Sequence, residues 1–227
     1  METYGQYCPI ARTAEILAER WTPLVVRNLL FGATTFTAIA NGVPTMSRSV
    51  LSSRLRSLER RGVIVRASSG SGARRYLLTE AGYDLATTIA AMAEWGERWL
   101  DVTSDHHDPV FALWAWSHVQ AAACELPTTR TIVEFEFTEE PPARRRWWLL
   151  VQRPTTDMCD HDPGGDERAW VRARSGPFCD WHRGALSWAA ARRSGAIEVT
   201  GPRELVRGLP RWNTHAPTMP PRSEVCA

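Results

Sequence analysis

The chain has 227 residues, 44% hydrophobic and 23% charged, which suits one large globular domain or two smaller ones. No apolar run approaches the roughly 18 residues of a membrane helix, and the N-terminus lacks the pattern of a signal peptide. We therefore expect a cytoplasmic protein without a membrane partner. Five scattered cysteines indicate reduced thiols rather than a disulfide framework.

The first hundred residues predict two helices, a short third helix, a longer fourth helix, a hairpin and one long helix. In "TPLVVRNLLFG" we expect Thr22 as the N-cap of the second helix, Pro23 at its first position and Gly32 as its stop. Thr35 is expected to cap a third, short helix that ends at Gly42. A short turn then leads into the fourth helix.

The fourth helix is predicted from Ser47, as its cap, to about Arg61, with Gly62 closing it. Leucines recur on one face at helical spacing, at Leu51, Leu55 and Leu58. Serine and arginine occupy much of the remaining surface. Two strands follow, "VIVR" and "RRYLL", joined by the polar turn "ASSGSGA", and then the long helix that starts at "LTEAGYDL".

Positive charge is concentrated in this region. Residues 47–75 hold eight arginines against Glu59 alone, a local charge of +7 in a chain of net charge +2. Two helices followed by a basic hairpin are typical of a winged helix-turn-helix, whose second helix enters the major groove of DNA. The candidate DNA contacts are Thr35, Ser47, Arg48, Ser49, Ser52, Arg54, Arg56, Arg74 and Arg75. The alternative is a solvated basic surface or an interface with an acidic protein.

The same stretch carries a family resemblance. The segments "CPIARTAEIL", "RWTPLVVRNLLFG", "FTAIANGVPTMSRSVLSSRLRSLERRGVIVR", "RRYLLTEAG" and "AEWGERW" resemble, in this order, the HxlR-type winged-helix regulators. The resemblance implies a homodimer formed by the first and last helices of the domain, and a palindromic operator in double-stranded DNA. It also aligns Cys8 with a cysteine that senses oxidants or electrophiles in some relatives. A packed thiol at the dimer interface is the alternative.

The composition changes near residue 104. After the linker "TSDHHDP" the pattern predicts a helix, the strands "TIVEFEF", "WWLLVQR", one near "TDMCD" and "AWVRARS", an interrupted helix, the strand "AIEVTG" and a last helix. We predict an α+β protein with domains at residues 1–104 and 105–215, and a loose, proline-rich tail at 216–227.

Eight of the 11 tryptophans lie beyond residue 104. Aromatic walls are typical of a pocket for a flat or hydrophobic ligand, although core packing is the alternative. The candidate ligand contacts are Trp114, Trp148, Trp170, Trp181 and Trp188. This region, through "SGAIEVTGPRELVRGLPRW" above all, resembles sterol-carrier-like domains, which implies a curved sheet and helices around an apolar cavity. The expected partner is a small hydrophobic effector.

Other chemistry finds little support in the sequence. Cys159, His161, Cys179 and His182 are a possible zinc set, but Cys-x-His on a strand rarely closes a compact site, so we expect no metal. The chain lacks a G-x-S-x-G elbow, a P-loop and a Rossmann fingerprint, so we expect no cofactor and no enzyme. Three alternatives stay open: a small-molecule carrier whose N-terminal domain mainly dimerises, an enzyme that uses the C-terminal pocket, and a regulator switched by Cys8.

Overall fold

The computed structural model describes residues 3–68, 74–120, 126–153 and 155–213, and the chain divides after Asp101 into two compact units. Helices and antiparallel strands occur in both units, in agreement with the predicted α+β class. Among the described residues, no helix has both the length and the apolar character needed to cross a membrane.

The first unit is a bundle of helices with one hairpin. Its elements are α1 (Pro9–Leu17), α2 (Thr22–Leu30), α3 (Phe36–Asn41), α4 (Arg48–Arg60), β1 (Ile64–Ser68), β2 (Arg74–Leu78) and α5 (Glu80–Trp99). The two strands are antiparallel, with Ile64 opposite Leu78 and Ser68 opposite Arg74. Most of the predicted turn "ASSGSGA" lies outside the described residues.

Local hydrogen bonds set the helix ends as the sequence predicts, with one exception. The side chain of Thr35 accepts from the Ala38 amide at 3.1 Å and that of Ser47 from the Val50 amide at 3.3 Å. Thr22 is instead the first residue of α2, and the cap is Trp21 in the left-handed conformation (φ 78°). The physical reason is tertiary: Thr22 is buried, and its amide donates to the Glu19 carbonyl, closing the turn from α1.

The second unit is a five-stranded sheet with helices. Its elements are α6 (Pro109–Ala115), a π-helical turn (Trp116–Gln120), β3 (Thr131–Phe137), α7 (Pro142–Arg145), β4 (Arg146–Gln152), β5 (Thr155–Cys159), β6 (Arg168–Ala173), α8 (Ser175–His182), α9 (Trp188–Arg193), β7 (Ile197–Thr200), α10 (Arg203–Gly208) and a 3-10 turn (Leu209–Trp212). The strand order is β5-β4-β3-β6-β7, with β3 and β6 parallel and the other pairs antiparallel.

The two faces of this sheet differ. One face packs against the helices, where Phe135, Phe137 and Val171 meet Phe178 and Trp181 in one buried cluster. Alternate residues project to the other side, which carries Glu134, Glu136, Trp148, Trp170 and Arg172 and is called the open face below. The sheet therefore has one core face and one largely polar and aromatic face.

Candidate nucleic-acid interface

Helix α4 exposes a stripe of serine and arginine opposite its buried leucines. Ser49, Ser53, Arg56 and Arg60 follow one another at spacings of four, three and four, and all are exposed; we call them the basic stripe. Within the part of the chain that the structure describes, neither arginine of the stripe makes an ion pair or a hydrogen bond. Both guanidinium groups are thus available to an external anion.

The N-terminal end of α4 is built from short side chains. The hydroxyls of Ser47 and Ser49 are 3.1 Å apart, and Ser47 is used as the cap. The exposed Arg48 lies over the ring of Phe36, with 5.7 Å between its guanidinium carbon and the ring centroid. Ser52 is half-buried. These residues form the part of α4 that a nucleic acid could approach most closely.

Arg54 has a different environment from the one we expected. Its guanidinium forms an ion pair with Glu19, and its Nε donates to the Arg20 carbonyl at 3.1 Å. The Arg54 side chain is about three-quarters buried, at 24% exposure. Its guanidinium therefore joins α4 to the turn between α1 and α2, and its place among the candidate DNA contacts stays a prediction.

A buried polar network holds α2 against α3. The Asn28 side chain is fully buried; its Nδ2 donates to the Ile39 carbonyl at 2.9 Å, and its Oδ1 accepts from the Arg27 guanidinium at 2.8 Å. Arg27 also donates to the Gly42 carbonyl at 2.8 Å, at the C-terminal end of α3. Burial lowers the pKa of Arg27 to about 10, so it stays charged at neutral pH. This network joins the C-terminal half of α2 to the carbonyls at the end of α3.

The hairpin stands next to the helices through a backbone contact. The Tyr76 amide in β2 donates to the Thr34 carbonyl, just before α3, at 2.8 Å. Arg74 and Arg75 are exposed, and neither makes an ion pair in the described ranges. Arg66, in contrast, donates twice to Glu59 at 2.8 Å, which lowers the pKa of that carboxyl. Glu59, the one acid of residues 47–75, is therefore already paired with an arginine of the same segment.

An apolar surface lies on α1 and α5. Ile10, Met92, Trp95 and Trp99 are exposed by 80%, 51%, 59% and 64%. A groove of about 460 Å³ runs between the two helices, lined by Ile10, Leu17 and Met92 among others. Cys8 is half-buried at the N-cap of α1, and its carbonyl accepts from the Arg12 amide. An exposed apolar surface of this kind is typical of a protein interface.

The five candidate tryptophans of the second unit do not surround one cavity. Trp114 and Trp181 are fully buried, and Trp188 packs 4.7 Å from Trp181, between ring centroids. Trp148 and Trp170 lie on the open face, on the other side of the sheet. The sequence pattern did not separate these two groups, because it does not show which strands pair or which face of the sheet meets the helices.

The possible zinc ligands are also divided by the sheet. Cys179 lies in the core cluster, where burial raises its pKa to about 12, whereas Cys159 pairs with Trp148 at the edge of the open face. Among the described residues, no group of three or more His, Cys, Asp or Glu side chains is placed to hold a metal ion.

The helices, the basic stripe and the adjoining hairpin define a winged helix-turn-helix unit. The model of the HxlR-like helix-turn-helix family matches residues 16–104. YvaP, an HTH-type transcriptional regulator of Bacillus subtilis, is 35% identical over 100 residues, which cover 43% of this chain and 93% of YvaP. The chain therefore belongs to the HxlR-like helix-turn-helix family, which confirms the resemblance for the first unit.

Other relatives share only this part. MT3179, an HTH-type transcriptional regulator of Mycobacterium tuberculosis, is 40% identical over 95 residues, 40% of this chain and 58% of that protein. The chain thus spans somewhat more than half the length of that relative. The structure of reduced YodB, a transcriptional regulator of B. subtilis, has 27% identity and a TM-score of 0.38, covering 42% of this chain and 97% of YodB.

Proposed function

We propose that this protein is a homodimeric, sequence-specific transcriptional regulator that binds a palindromic operator in double-stranded DNA. The observation that carries the proposal is the basic stripe of α4, because its two arginines have no partner within the described residues. A surface arginine that has no intramolecular partner keeps its donors for phosphate oxygens or a guanine edge. The family membership supports the same reading.

In the proposed complex, α4 lies in the major groove. Ser47 and Ser49 at its start let the backbone approach the bases, while Arg48, Arg56 and Arg60 reach phosphates or a guanine. Arg74 and Arg75 contact the backbone beside the groove. Thr35 and Ser52 would contribute through the α3 N-terminus and the edge of α4. Arg60 was not among our candidates, although its spacing of four from Arg56 places it on the same face.

The homodimer would form through the apolar surface of α1 and α5. Its exposed residues include two tryptophans, and aromatic residues are enriched in interface cores. A two-fold axis would set two copies of α4 against two half-sites about one helical turn apart. Cys8, at the start of α1, would lie close to this interface, where its oxidation could change the spacing of the two helices.

For the second unit we propose a sterol-carrier-like domain that binds a small effector with an apolar body. One layer of helices against a five-stranded sheet supports this assignment. The effector would control operator binding only if its affinity differs between the free and the DNA-bound arrangement of the dimer. Equal effector affinity for the two forms would contradict this control.

Fluorescence anisotropy on the duplex upstream of the protein's own gene, beside a scrambled duplex, tests the DNA proposal. We expect tight binding to the first alone, weakening steeply with salt as counterions are released. Arg56→Ala should weaken binding and reduce the salt slope by about 0.9 if it contacts one phosphate, or cost about 1–3 kcal/mol at one base pair if it reads a guanine.

The matched control is Arg193→Ala, an exposed arginine at the end of α9 in the second unit, which should leave DNA affinity unchanged. Equal loss in both variants would mean that only overall charge matters. If neither duplex binds at any salt concentration, the DNA proposal fails, and the small-molecule carrier becomes the better interpretation.

A further inference from the structure

The open face of the second unit places one carboxylate between two indoles. In the sheet register, Glu134 of the central strand β3 lies directly opposite Trp148 of β4 on one side and Trp170 of β6 on the other. Side chains at directly opposite positions project on the same side of a sheet and have Cβ atoms about 4.5–5.5 Å apart. The two indoles therefore start roughly 10 Å apart, with the carboxylate between them.

Within the described residues, none of these three side chains makes a hydrogen bond or an ion pair. Trp170 is 45% exposed, and the buried Nε1 of Trp148 has no hydrogen-bond acceptor in the described residues. Neither indole stacks on another described aromatic ring, and Glu134 makes no hydrogen bond or ion pair in the ranges that the structure describes. The row thus offers two aromatic surfaces and one carboxylate that, within the described residues, makes no hydrogen bond or ion pair and has Arg168 as a more distant positive neighbour.

The next carboxylate along β3 provides an internal comparison. Glu136 lies on the same face two residues further on, opposite Arg146 and Arg172, and its carboxylate is 3.9 Å from the Arg172 guanidinium. Arginine therefore flanks Glu136, whereas tryptophan flanks Glu134. Glu134 thus has two aromatic rings beside it where Glu136 has two guanidinium groups. The face of an aromatic ring attracts a cation electrostatically.

The nearest arginines on the other side of Glu134 are engaged elsewhere. Arg168 lies close enough for Glu134 to help raise its pKa, but its guanidinium donates to Asp162 at 2.7 Å and to the Gly165 carbonyl at 2.7 Å. Arg130 donates to the Gly164 carbonyl at 2.6 Å. The segment 155–167 that these arginines hold contains five acids and no arginine. Both arginines therefore donate hydrogen bonds to this acidic segment and not to Glu134.

Beside the row, the next register positions on the open face are Leu150 of β4, Ile132 of β3 and Arg168 of β6. Ile132 is buried on this side of the sheet, where its Cδ1 would lie 2.9 Å from a Cβ on Gly165, and Leu150 is its half-buried partner in β4. Because Ile132 is 1% exposed, the half-buried Leu150 is the apolar residue of this pair that the hydrocarbon part of a ligand can contact.

We propose that the open face binds an organic cation with an apolar body, of the quaternary ammonium class. Its charged group would lie over Glu134 between Trp148 and Trp170, within about 6 Å of both ring centroids. Its apolar part would cover Leu150. This inference deepens the effector part of the proposed function, but it does not depend on DNA binding.

The test is calorimetric titration of the full chain, in the absence of DNA, with benzyltrimethylammonium chloride and with neutral benzyl alcohol. We expect saturable binding of the cation and none of the alcohol. Glu134→Gln, which keeps the shape and removes the charge, should weaken cation binding by about tenfold or more, and Trp170→Leu by a comparable factor.

The matched control is Glu136→Gln, which removes a carboxylate from the same strand and face and should change the affinity less than about twofold, as expected for a screened neighbouring charge. Thermal unfolding of each variant checks that the fold is intact. Absence of cation binding to the wild-type chain, or equal weakening in Glu134→Gln and Glu136→Gln, would overturn the proposal. Fluorescence anisotropy of the labelled duplex, measured with and without the cation, then tests whether cation binding controls DNA binding. If the cation binds but the DNA affinity is unchanged, only the effector role is contradicted.

Discussion

At Gly82, near the start of α5, we expect the methyl group of an alanine to weaken the packing of the hairpin against the long helix. A Cβ at this position would lie 2.2 Å from the Val63 carbonyl oxygen and 2.9 Å from Cδ2 of Leu78, whereas real Cβ contacts are essentially never under 3.0 Å. The Val63 oxygen also accepts from the Thr79 amide at 3.0 Å and from the Thr79 hydroxyl at 3.1 Å. Gly82→Ala must therefore move backbone, and the movement breaks the cap of α5.

The expected free-energy cost follows from these contacts. Two weakened hydrogen bonds cost about 1 kcal/mol each. Overpacking adds about 1–3 kcal/mol. The better helix propensity of alanine returns about 1 kcal/mol. We expect Gly82→Ala to destabilise the first unit by about 2–4 kcal/mol.

Hydrogen-exchange mass spectrometry on the full chain measures this loss of stability as faster amide exchange in the peptides that cover β1, β2 and the start of α5. The control is Gly96→Ala in the same helix, where no atom of the described residues, apart from the helix's own backbone and the adjacent residues, lies within 4 Å of the added Cβ. It should stabilise the helix by about 0.5–1 kcal/mol, compared at the same oligomeric state. Unchanged or increased protection in Gly82→Ala would refute the reasoning.

Three further predictions concern buried polar groups. Asn28→Ala leaves the Ile39 carbonyl without its donor and should lower the free energy of unfolding by about 1–3 kcal/mol, measured by thermal unfolding; an unchanged midpoint would contradict this. Burial lowers the pKa of His118, so the unfolded chain binds its proton more readily. Stability of the second unit should therefore fall as pH drops below about 6.5, and His118→Gln should flatten the profile of unfolding midpoint against pH between about 5 and 8. Because burial raises the pKa of Cys179 to about 12, iodoacetamide at neutral pH should label Cys8 before Cys179, and peptide mapping that finds equal rates at the two thiols would contradict the buried environment of Cys179.

Much of the first unit could be predicted from the sequence because its helix ends depend on neighbouring residues. The side chain of a cap such as Thr35 or Ser47 accepts a hydrogen bond from the amide three residues further on. Gly62 ends α4 because glycine readily adopts the positive φ of +70° that follows the last turn. The order of strands in the second unit followed from alternation and breakers in the same way, but the short α7 between β3 and β4 was not predicted. The predicted DNA contacts themselves stay a prediction until binding is measured.

Sequence by itself determined where α4 begins and ends, which of its faces is buried, and that its other face is basic, since each depends on spacing within a few residues. Only the tertiary structure decided which arginines of that helix form an ion pair within the described residues. Arg54 and Arg56 are two residues apart and chemically identical, yet Arg54 meets Glu19, 35 positions away, and Arg56 meets solvent. The tryptophans divide for the same reason, because the pairing of β3 with β4 and β6 brings Trp148 and Trp170 to Glu134. A long-range contact depends on which elements pack together, and no local pattern records that choice.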